Sequence, residues 1–495
     1  MVKRVFIILF ATSLFFFSCG SKDDESHENQ DDKESPELFE NGENDEDEYF
    51  DNEGPDEVGD DDDDLQFLQT GGIAIFSHNK EGDKETLFSH KTILGQGGFF
   101  GFSIFDFSGE YWAVGALHES IPPYDFEKAT GRVYFFRKGK LPENIEDAEF
   151  TLTHPELGLN VGFGFNLAKP CDINNDGFGD IVVSSHLANH GDDYAAGEFV
   201  VFYGSETGWS VENSSISRIS DGLIKRADSM SQSLVCGDID GDGFADVLAG
   251  GQNAGPELSG GGRQGMVAIF KGGEEGLEKH ESQTLLPEVE QSKQYFGSSM
   301  IFEDIDGDGI KDLIVSGWGL KENDEANHTG GVYVYYGGNN WQDGPDKKYF
   351  GQKDSQFGSV IRIVEINGEK VIGVIAPQDG MQGKIHFLES EIEPGFVPQG
   401  MMNATESDSF SDFTVLNGVN EGGALLVAGG KRFFDGTGGL LCADIEGKTV
   451  SEWGKCPWQP QDVSGGFGYS VFSANGIDEE NLTLIVGMPE YIHEF

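Results

Sequence analysis

Three nine-residue stretches hold residues whose types and spacing could do chemistry. Each follows the pattern Asp-x-Asp/Asn-x-Asp-Gly-x-x-Asp, and their first residues are Asp172, Asp238 and Asp304, spaced 66 residues apart. Ca²⁺ takes six to eight hard oxygen ligands, which side chains at positions 1, 3, 5 and 9 and a backbone carbonyl at position 7 can supply. Glycine at position 6 permits the sharp turn that points these oxygens inward. The predicted ligands are Asp172, Asn174, Asp176, Phe178 and Asp180; Asp238, Asp240, Asp242, Phe244 and Asp246; and Asp304, Asp306, Asp308, Ile310 and Asp312.

The residues that follow these stretches indicate the type of loop. A helical calcium-binding hand needs Glu at position 12, whereas these positions hold Val183, Ala249 and Val315, inside predicted strands. The pattern therefore predicts three Ca²⁺ sites in β-hairpin loops. A solvated acidic turn is the alternative for any one loop, but three copies in register favour calcium.

The three loops belong to a longer internal repeat of about 60 residues. An aromatic-Gly pair opens five units, as in Phe100-Gly101 and Phe467-Gly468, and degenerate copies begin near Met230 and at Phe410-Ser411. An apolar strand with small residues at its end follows each start, and a glycine-led alternating strand comes next in six units. Seven such units are compatible with a solenoid, an array of sandwiches or a propeller.

The two ends of the repeat region discriminate among these architectures. The seventh unit lacks the glycine-led strand, and a matching strand occurs at the other end of the region, at residues 72–76, with a second strand predicted at 86–91. Pairing of these strands with the last unit would close a ring and hide the sheet edges. The sequence therefore predicts an all-β fold, a seven-bladed β-propeller over residues 66–495 that is closed by N-terminal strands pairing with the last blade.

Charge is distributed unevenly along the chain. The sequence has 88 Asp and Glu against 32 Lys and Arg, a formal net charge of −56, which excludes binding to a nucleic-acid backbone. Residues 21–64 contain 23 acidic residues and two lysines. Such a segment cannot bury enough apolar surface to offset its ordering entropy, so residues 19–65 are expected to form a disordered acidic tether. A low-affinity calcium sponge is the alternative.

The first 18 residues have the layout of a targeting signal. Lys3 and Arg4 precede a 13-residue apolar run, and Ser18-Cys19 follows it. This layout resembles a bacterial lipoprotein signal in which Cys19 is acylated, although Phe16 occupies the place where that signal usually has Leu. The resemblance implies a lipid anchor at the bacterial outer membrane or cell surface and no other membrane contact. An ordinary secretory signal is the alternative.

Taken together, the Phe-Gly starts, the Gly-Ala-Pro-like strand ends and the acidic loops resemble the FG-GAP repeats of the integrin α-subunit propeller. The resemblance extends over residues 66–495 and is most specific in units two to four. Integrin propellers typically carry calcium in later blades, and this sequence has neither an inserted ligand-binding domain nor an Arg-Gly-Asp triplet. The resemblance implies a calcium-braced scaffold for adhesion or recognition.

Four cysteines remain besides Cys19. Cys442 and Cys456 flank a predicted hairpin, and a disulfide is favoured there over two free thiols because an extracytoplasmic location permits it. Cys171 and Cys236 precede their acidic loops in neighbouring units, and buried inner-strand thiols are expected for this pair.

Loops between the second and third strands of a blade should lie on the face opposite the calcium hairpins, where a rigid scaffold commonly presents binding residues. Contacts with a protein or glycan ligand are predicted for Tyr124, Phe126, Tyr194, Arg263 and Trp318. The sequence has neither an H-E-x-x-H nor a G-x-S-x-G motif. A binding or adhesion module is therefore favoured over a polysaccharide lyase or esterase built on a propeller, and over a structural subunit of an envelope assembly.

Overall fold

Strands make up the described secondary structure, apart from three single-turn 3₁₀ helices at Ile145–Asp147, Val211–Asn213 and Trp341–Asp343. The computed structural model describes residues 68–69, 71–78, 88–95, 98–119, 130–157, 161–191, 193–220, 223, 229–259, 262–323, 329–366, 368–379, 383–389, 392, 395–396, 410–420, 423–430, 438–451, 453–456, 467–474, 482–489 and 492–493. The predicted signal, the predicted tether and Cys19 lie outside these residues. In the described part of the chain, no helix is long and apolar enough to cross a membrane.

Within the residues described above, 31 strands build seven antiparallel sheets, the blades, and one short two-stranded sheet. The first three strands are β1 (Leu68–Gln69), β2 (Gly72–His78) and β3 (Phe88–Leu94). Blades 1 to 3 consist of β4 (Phe100–Asp106), β5 (Tyr111–Ala116), β6 (Arg132–Arg137) and β7 (Phe150–Thr153); β8 (Phe163–Leu167), β9 (Ile181–Ser185), β10 (Glu198–Phe202) and β11 (Ser214–Ser217); and β12 (Ser233–Gly237), β13 (Asp246–Gly251), β14 (Met266–Phe270) and β15 (Gln283–Leu285).

Blades 4 to 6 repeat this arrangement, and blade 6 carries one extra strand. They consist of β16 (Ser299–Glu303), β17 (Asp312–Gly317), β18 (Gly331–Tyr335) and β19 (Lys347–Phe350); β20 (Val360–Ile366), β21 (Glu369–Ala376), β22 (Lys384–Leu388) and β23 (Gly395–Phe396); and β24 (Asp412–Asn420), β25 (Gly423–Gly430), β26 (Gly439–Glu446), β27 (Thr449–Val450) and β28 (Gly454–Lys455). The last strands are β29 (Val471–Ala474), β30 (Leu482–Met488) and β31 (Ile492–His493).

Blade 7 is assembled from both ends of the described chain, in the strand order β29-β30-β2-β3. Strand β2 pairs with β30 along its full length, from Gly72 opposite Met488 to His78 opposite Leu482. A second pairing, between β1 and β31, adds to this closure. The innermost strands of consecutive blades contact one another all the way round, including β29 against β4. The predicted seven-bladed propeller, closed by its N-terminal strands, is therefore confirmed.

The hydrophobic core is divided into seven clusters, and each lies between two neighbouring blades. One cluster joins blades 7 and 1, so Ile75 and Ile485 of the closing blade pack with Trp112 of the first. Because neighbouring blades cover both faces of each sheet, second strands such as β9 and β13 are buried at every position. This explains why these strands have continuous apolar runs instead of alternating patterns.

Glycine lets the backbones of adjacent blades touch near the entrance of the first strands of blades 1, 2, 4 and 7. In the aromatic-Gly pairs the glycine has a positive φ, for example 87° at Gly101 and 83° at Gly297. In four of these five pairs its carbonyl oxygen faces a second glycine, near the end of the second strand of the preceding blade; Gly358 faces Ser316 instead. A Cβ added at Gly250 would lie 2.2 Å from the oxygen of Gly297, and one added at Gly487 would lie 2.0 Å from the oxygen of Gly101. The two glycines of the repeat therefore form one contact across each such boundary.

We expect Gly487→Ala to destabilise the propeller, because the added methyl group would overlap the backbone carbonyl oxygen of Gly101, which cannot move aside, and also the hydroxyl of Ser470. Overpacking of this kind costs about 1–3 kcal/mol, which corresponds to a fall in Tm of about 1–3 °C for a domain of this size. Differential scanning calorimetry measures the change. Gly109→Ala is the matched control, since no atom lies within 4 Å of its added Cβ. Equal Tm values for the two variants would contradict the role of the glycine contact.

Candidate functional site

The three acidic loops occupy the same place in consecutive blades. They connect the first and second strands of blades 2, 3 and 4, namely β8 to β9, β12 to β13 and β16 to β17. The second and third strands are joined at the opposite end of each sheet, as the register of blade 3 shows: Gly237 pairs with Asp246 at one end and Gly251 with Met266 at the other. The acidic loops and the predicted ligand loops therefore lie on opposite faces.

A shared set of hydrogen bonds shapes all three loops. The carboxylate at position 1 accepts the N–H of the glycine at position 6, with N···O distances of 2.9 Å for Asp172, 3.0 Å for Asp238 and 3.0 Å for Asp304. The carboxylate at position 5 accepts the N–H of position 7, at 2.9, 2.9 and 2.7 Å in the same order. Each loop is thus folded around its own carboxylates. A carboxylate has about four lone-pair sites, so these bonds leave acceptor capacity for a cation.

The aspartate at position 9 ties each loop to the rest of its blade. Asp180, Asp246 and Asp312 are buried, and each accepts the N–H of position 2 with one oxygen. The other oxygen accepts the N–H of a glycine that follows the third strand, 24, 26 or 25 residues further on: Gly204 at 2.8 Å, Gly272 at 3.0 Å and Gly337 at 2.8 Å. These glycines were not singled out in the sequence, although their recurrence 24–26 residues after the loop is a signal that could have found them.

Burial raises the pKa of all three position-9 carboxyl groups. The pKa of Asp180 rises to about 6, because burial outweighs its hydrogen bonds from Gly204 and Ile173 and the carboxylates of Asp176 and Asp172 add repulsion. Burial also raises the pKa of Asp246 and of Asp312. A carboxylate that is buried beside other carboxylates favours a nearby positive charge.

In two of the loops, the carboxylate oxygens lie close enough together for each loop to bind one ion. One oxygen each from Asp238, Asp240 and Asp246 lies within 4.8 Å of the others, and Asp304, Asp306 and Asp312 repeat this arrangement. In the loop of blade 2 the amide of Asn174 takes position 3, and its nitrogen donates to Asp176 at 2.9 Å. All three loops offer hard oxygen donors, which is the ligand chemistry that Ca²⁺ prefers.

The loop of blade 3 differs from the other two because a lysine reaches it. Lys271 precedes Gly272, and its Nζ lies 2.8 Å from an oxygen of Asp240 and 3.1 Å from one of Asp246. Tyrosines, Tyr203 and Tyr336, precede the equivalent glycines in blades 2 and 4. Burial alone would lower the pKa of Lys271, but its contacts with the two aspartates outweigh burial and raise it. Nothing in the sequence pattern singles out Lys271.

The first-strand ends of blades 2 and 3 are joined covalently beside their acidic loops. Cys171 and Cys236 form a disulfide with a Cα–Cα distance of 6.0 Å, so the expectation of buried free thiols for this pair differs from the structure. The two loops also touch directly, since the N–H of Ala245 donates to the carbonyl of Asp172 at 2.9 Å. The second pair, Cys442 and Cys456, is bonded within blade 6 with a Cα–Cα distance of 5.1 Å.

The predicted ligand residues have different surroundings. Tyr124 and Phe126 lie outside the described residues, and Tyr194 is 54% exposed. Trp318 stacks on Tyr295 with ring centroids 3.5 Å apart. Arg263 holds two loops together, because its Nη1 donates to the carbonyl of Gly255 in its own loop and to that of Leu223 between β11 and β12. These five residues therefore do not form a single described cluster.

A row of aromatic rings that the sequence did not predict lies at the entrance of three first strands. Tyr469, Phe102 and Phe165, the residues after the glycine in blades 7, 1 and 2, are half-buried, with centroid distances of 4.5 Å and 5.3 Å between successive rings. His186 packs against Phe165 at 4.1 Å. Serine, as Ser298 and Ser359, takes the equivalent place in blades 4 and 5. We call Tyr469, Phe102 and Phe165 the aromatic row; it lies on the face opposite the acidic loops.

Comparison with known proteins agrees with this architecture. Residues 231–270, which run from just before β12 to the end of β14, match the model of the FG-GAP repeat. The first three strands of blade 3 are therefore similar to an FG-GAP repeat. The chain is 31% identical over 196 residues to integrin alpha-E of Mus musculus and 32% identical over 198 residues to integrin alpha-PS5 of Drosophila melanogaster. Part of the propeller is therefore similar in sequence to integrin α-subunits.

These similarities cover limited parts of each protein. The two matches take in 37% and 39% of this chain but only 16% and 18% of the relatives, so the chain spans less than a fifth of their length. Among solved structures, the Dos1 propeller aligns over 85% of this chain and 90% of its own, with 10% identity and a TM-score of 0.41. At this score the likeness adds nothing to the strand pairing described above.

We expect the double variant Cys171→Ser/Cys236→Ser to lower stability by about 4 kcal/mol, because a cross-link that closes a 65-residue loop restricts the unfolded chain. Removing the 14-residue link between Cys442 and Cys456 should cost about 3 kcal/mol, and that variant is the matched control. Chemical denaturation measures both losses. If Cys171 and Cys236 reacted with a thiol reagent in the native, unreduced protein, that result would contradict the disulfide.

Proposed function

We propose that this protein is a calcium-braced propeller that is anchored at the cell surface and binds a protein ligand on the face opposite its acidic loops. The observation that carries the proposal is the presence of acidic loops with one bonding pattern on one face of blades 2, 3 and 4. Relatedness to integrin α-subunits supports a role in binding or adhesion.

Calcium would be held by side-chain oxygens at positions 1, 3, 5 and 9 and by the carbonyls of Phe178, Phe244 and Ile310. When bound, the ion supplies positive charge to carboxylates that otherwise repel one another. The chain itself contributes a preformed shape, because its backbone N–H groups already fold each loop around position 1. Since position 9 is hydrogen-bonded to a glycine beyond the third strand, an ion there would brace the first three strands of the blade together.

The ligand would bind at the aromatic row. Aromatic side chains that are half-buried combine apolar contact area with little loss of conformational freedom, and they are enriched among residues that dominate binding energy. The row is rigidly placed because each ring follows a glycine that contacts the preceding blade. A protein ligand is proposed because of the relationship to integrin α-subunits; binding to glycans alone would be the contrary outcome.

The lipid anchor that we propose lies outside the described residues. The Lys3-Arg4 pair, the apolar run and Ser18-Cys19 motivate an acylated Cys19 at the bacterial outer membrane or cell surface, with the acidic residues before 66 as a spacer. An acyl mass on the peptide that begins at Cys19, lost in Cys19→Ala, tests this part independently of the propeller.

Calcium should raise the Tm of the wild-type protein. At a free concentration ten times the dissociation constant, one independent site stabilises the fold by about 1.4 kcal/mol, or about 1–2 °C for a domain of this size. Asp306→Ala should remove the contribution of the loop in blade 4, because it deletes an oxygen of the cluster with Asp304 and Asp312. Calorimetric titration and thermal scans with calcium or a chelator measure both effects.

Glu275→Ala is the control for Asp306→Ala, since it also removes one exposed negative charge, in the turn after the third strand of blade 3. The control should keep the full calcium response. A titration of the wild-type protein that finds no calcium uptake would refute the calcium part of the proposal.

Phe102→Ser should weaken ligand binding at least tenfold, a loss of about 1.4 kcal/mol or more, while the calcium response persists. Serine is the residue that blades 4 and 5 carry at this place, so the backbone accepts it. The ligand is first identified by affinity capture from a surface-protein extract alongside a glycan array, and its affinity is then measured. Leu157→Ser, which removes an apolar side chain that is 60% exposed but lies outside the row, is the control. Equal binding by both variants would move the site away from the aromatic row.

A further inference from the structure

The three acidic loops differ in one respect that bears on how they use a cation. We infer that the ammonium group of Lys271 is a built-in cation of the blade-3 loop, so that this loop binds calcium more weakly than the loops of blades 2 and 4. The inference rests on the proposed calcium function and makes it specific to each loop. It concerns which cation satisfies each set of carboxylates.

The geometry places the ammonium where an ion would need to bind. The same three carboxylates, Asp238, Asp240 and Asp246, bring one oxygen each within 4.8 Å of the others. Lys271 Nζ contacts two of these three residues, at 2.8 Å from Asp240 and 3.1 Å from Asp246. Calcium and the ammonium would therefore compete for oxygens of positions 3 and 9, and calcium binding requires Lys271 to leave.

The contact is built into the blade. Lys271 directly follows β14 and directly precedes Gly272, whose N–H donates to the second oxygen of Asp246 at 3.0 Å. The glycine bond fixes the backbone beside the loop, and the side chain of Lys271 is only 20% exposed. Asp246 itself is buried, so a positive group next to it is favoured even when calcium is absent.

The neighbouring loops lack this arrangement at the equivalent place. Tyr203 and Tyr336 precede the glycines that bind Asp180 and Asp312, and a tyrosine side chain carries no positive charge. Lys311 lies within the blade-4 loop, but its Nζ is positioned over the ring of Phe302, 5.4 Å from the centroid, and not between two loop carboxylates. Lys271 and Lys311 therefore form a matched pair for a test.

The test measures calcium binding to the blade-3 loop alone. In the full chain, Asp176→Ala and Asp308→Ala disable the other two loops, and Lys271→Met or Lys311→Met is then added to this background. Isothermal titration with CaCl₂ should show at least a tenfold gain in affinity for Lys271→Met and no gain for Lys311→Met. Lys271→Tyr, which installs the residue found in blades 2 and 4, should gain affinity as Lys271→Met does and serves if the methionine variant fails to fold.

A second readout separates competition from a general change of charge. In chelator, Lys271→Met should have a lower Tm than the wild-type protein, because the buried carboxylate loses its resident cation. In saturating calcium this deficit should disappear. Lys271 should therefore stabilise the protein when calcium is absent and weaken calcium binding when it is present. Only a residue that takes the place of the ion would have both effects.

The outcomes distinguish this inference from the calcium proposal itself. The expected result is two tight calcium sites and one weaker site in the wild-type protein, and three tight sites in Lys271→Met. Three equivalent sites in the wild-type protein, or unchanged affinity in Lys271→Met and Lys271→Tyr, would overturn the inference and leave the calcium function standing. No uptake by any loop, in any variant, would overturn both.

Discussion

Direct contact between the backbones of neighbouring blades is the constraint on which the rest of the structure depends. A glycine with positive φ begins a first strand, and its carbonyl meets a second glycine at the end of a strand in the preceding blade, with no room for a Cβ between Gly487 and Gly101. The close approach sets the spacing between sheets, and the seven interblade cores fill that spacing. The acidic loops and the aromatic row lie at opposite ends of the same first strands, so both inherit their positions from this contact.

Most of the fold could be predicted from the sequence because each blade repeats the same signals. The aromatic-Gly starts and the displaced strand at 72–76 were sufficient to predict seven blades and their closure, since β2 pairs with β30. The acidic loops were placed in the correct blades because their pattern is local. What could not be predicted depends on pairing across distance: the bond from Gly272 to Asp246 and the approach of Lys271 require the register between second and third strands, which apolar patterning leaves open.

The disulfide between Cys171 and Cys236 illustrates the same limit. Their sequence separation of 65 residues is nearly one repeat, which gave no reason to pair them before the geometry of adjacent blades was known. The Cys442–Cys456 bond spans a hairpin and could be anticipated from proximity in sequence. The aromatic row is a similar case, because Phe102, Phe165 and Tyr469 meet only when the last blade lies beside the first.

Closure by strands from opposite ends also has a consequence for biosynthesis. Ser470 donates a hydrogen bond to the carbonyl of Gly101, 369 residues away, and β2 finds its partner β30 near the end of the described chain. During vectorial synthesis or export, β2 and β3 emerge long before β30, so one edge of β2 stays unpaired until β30 has followed. Such long-range pairing is intrinsically slow and exposes strand edges to other chains. Ring closure therefore competes with association between neighbouring chains. The strong negative charge of the chain favours closure, because copies of an acidic chain repel one another.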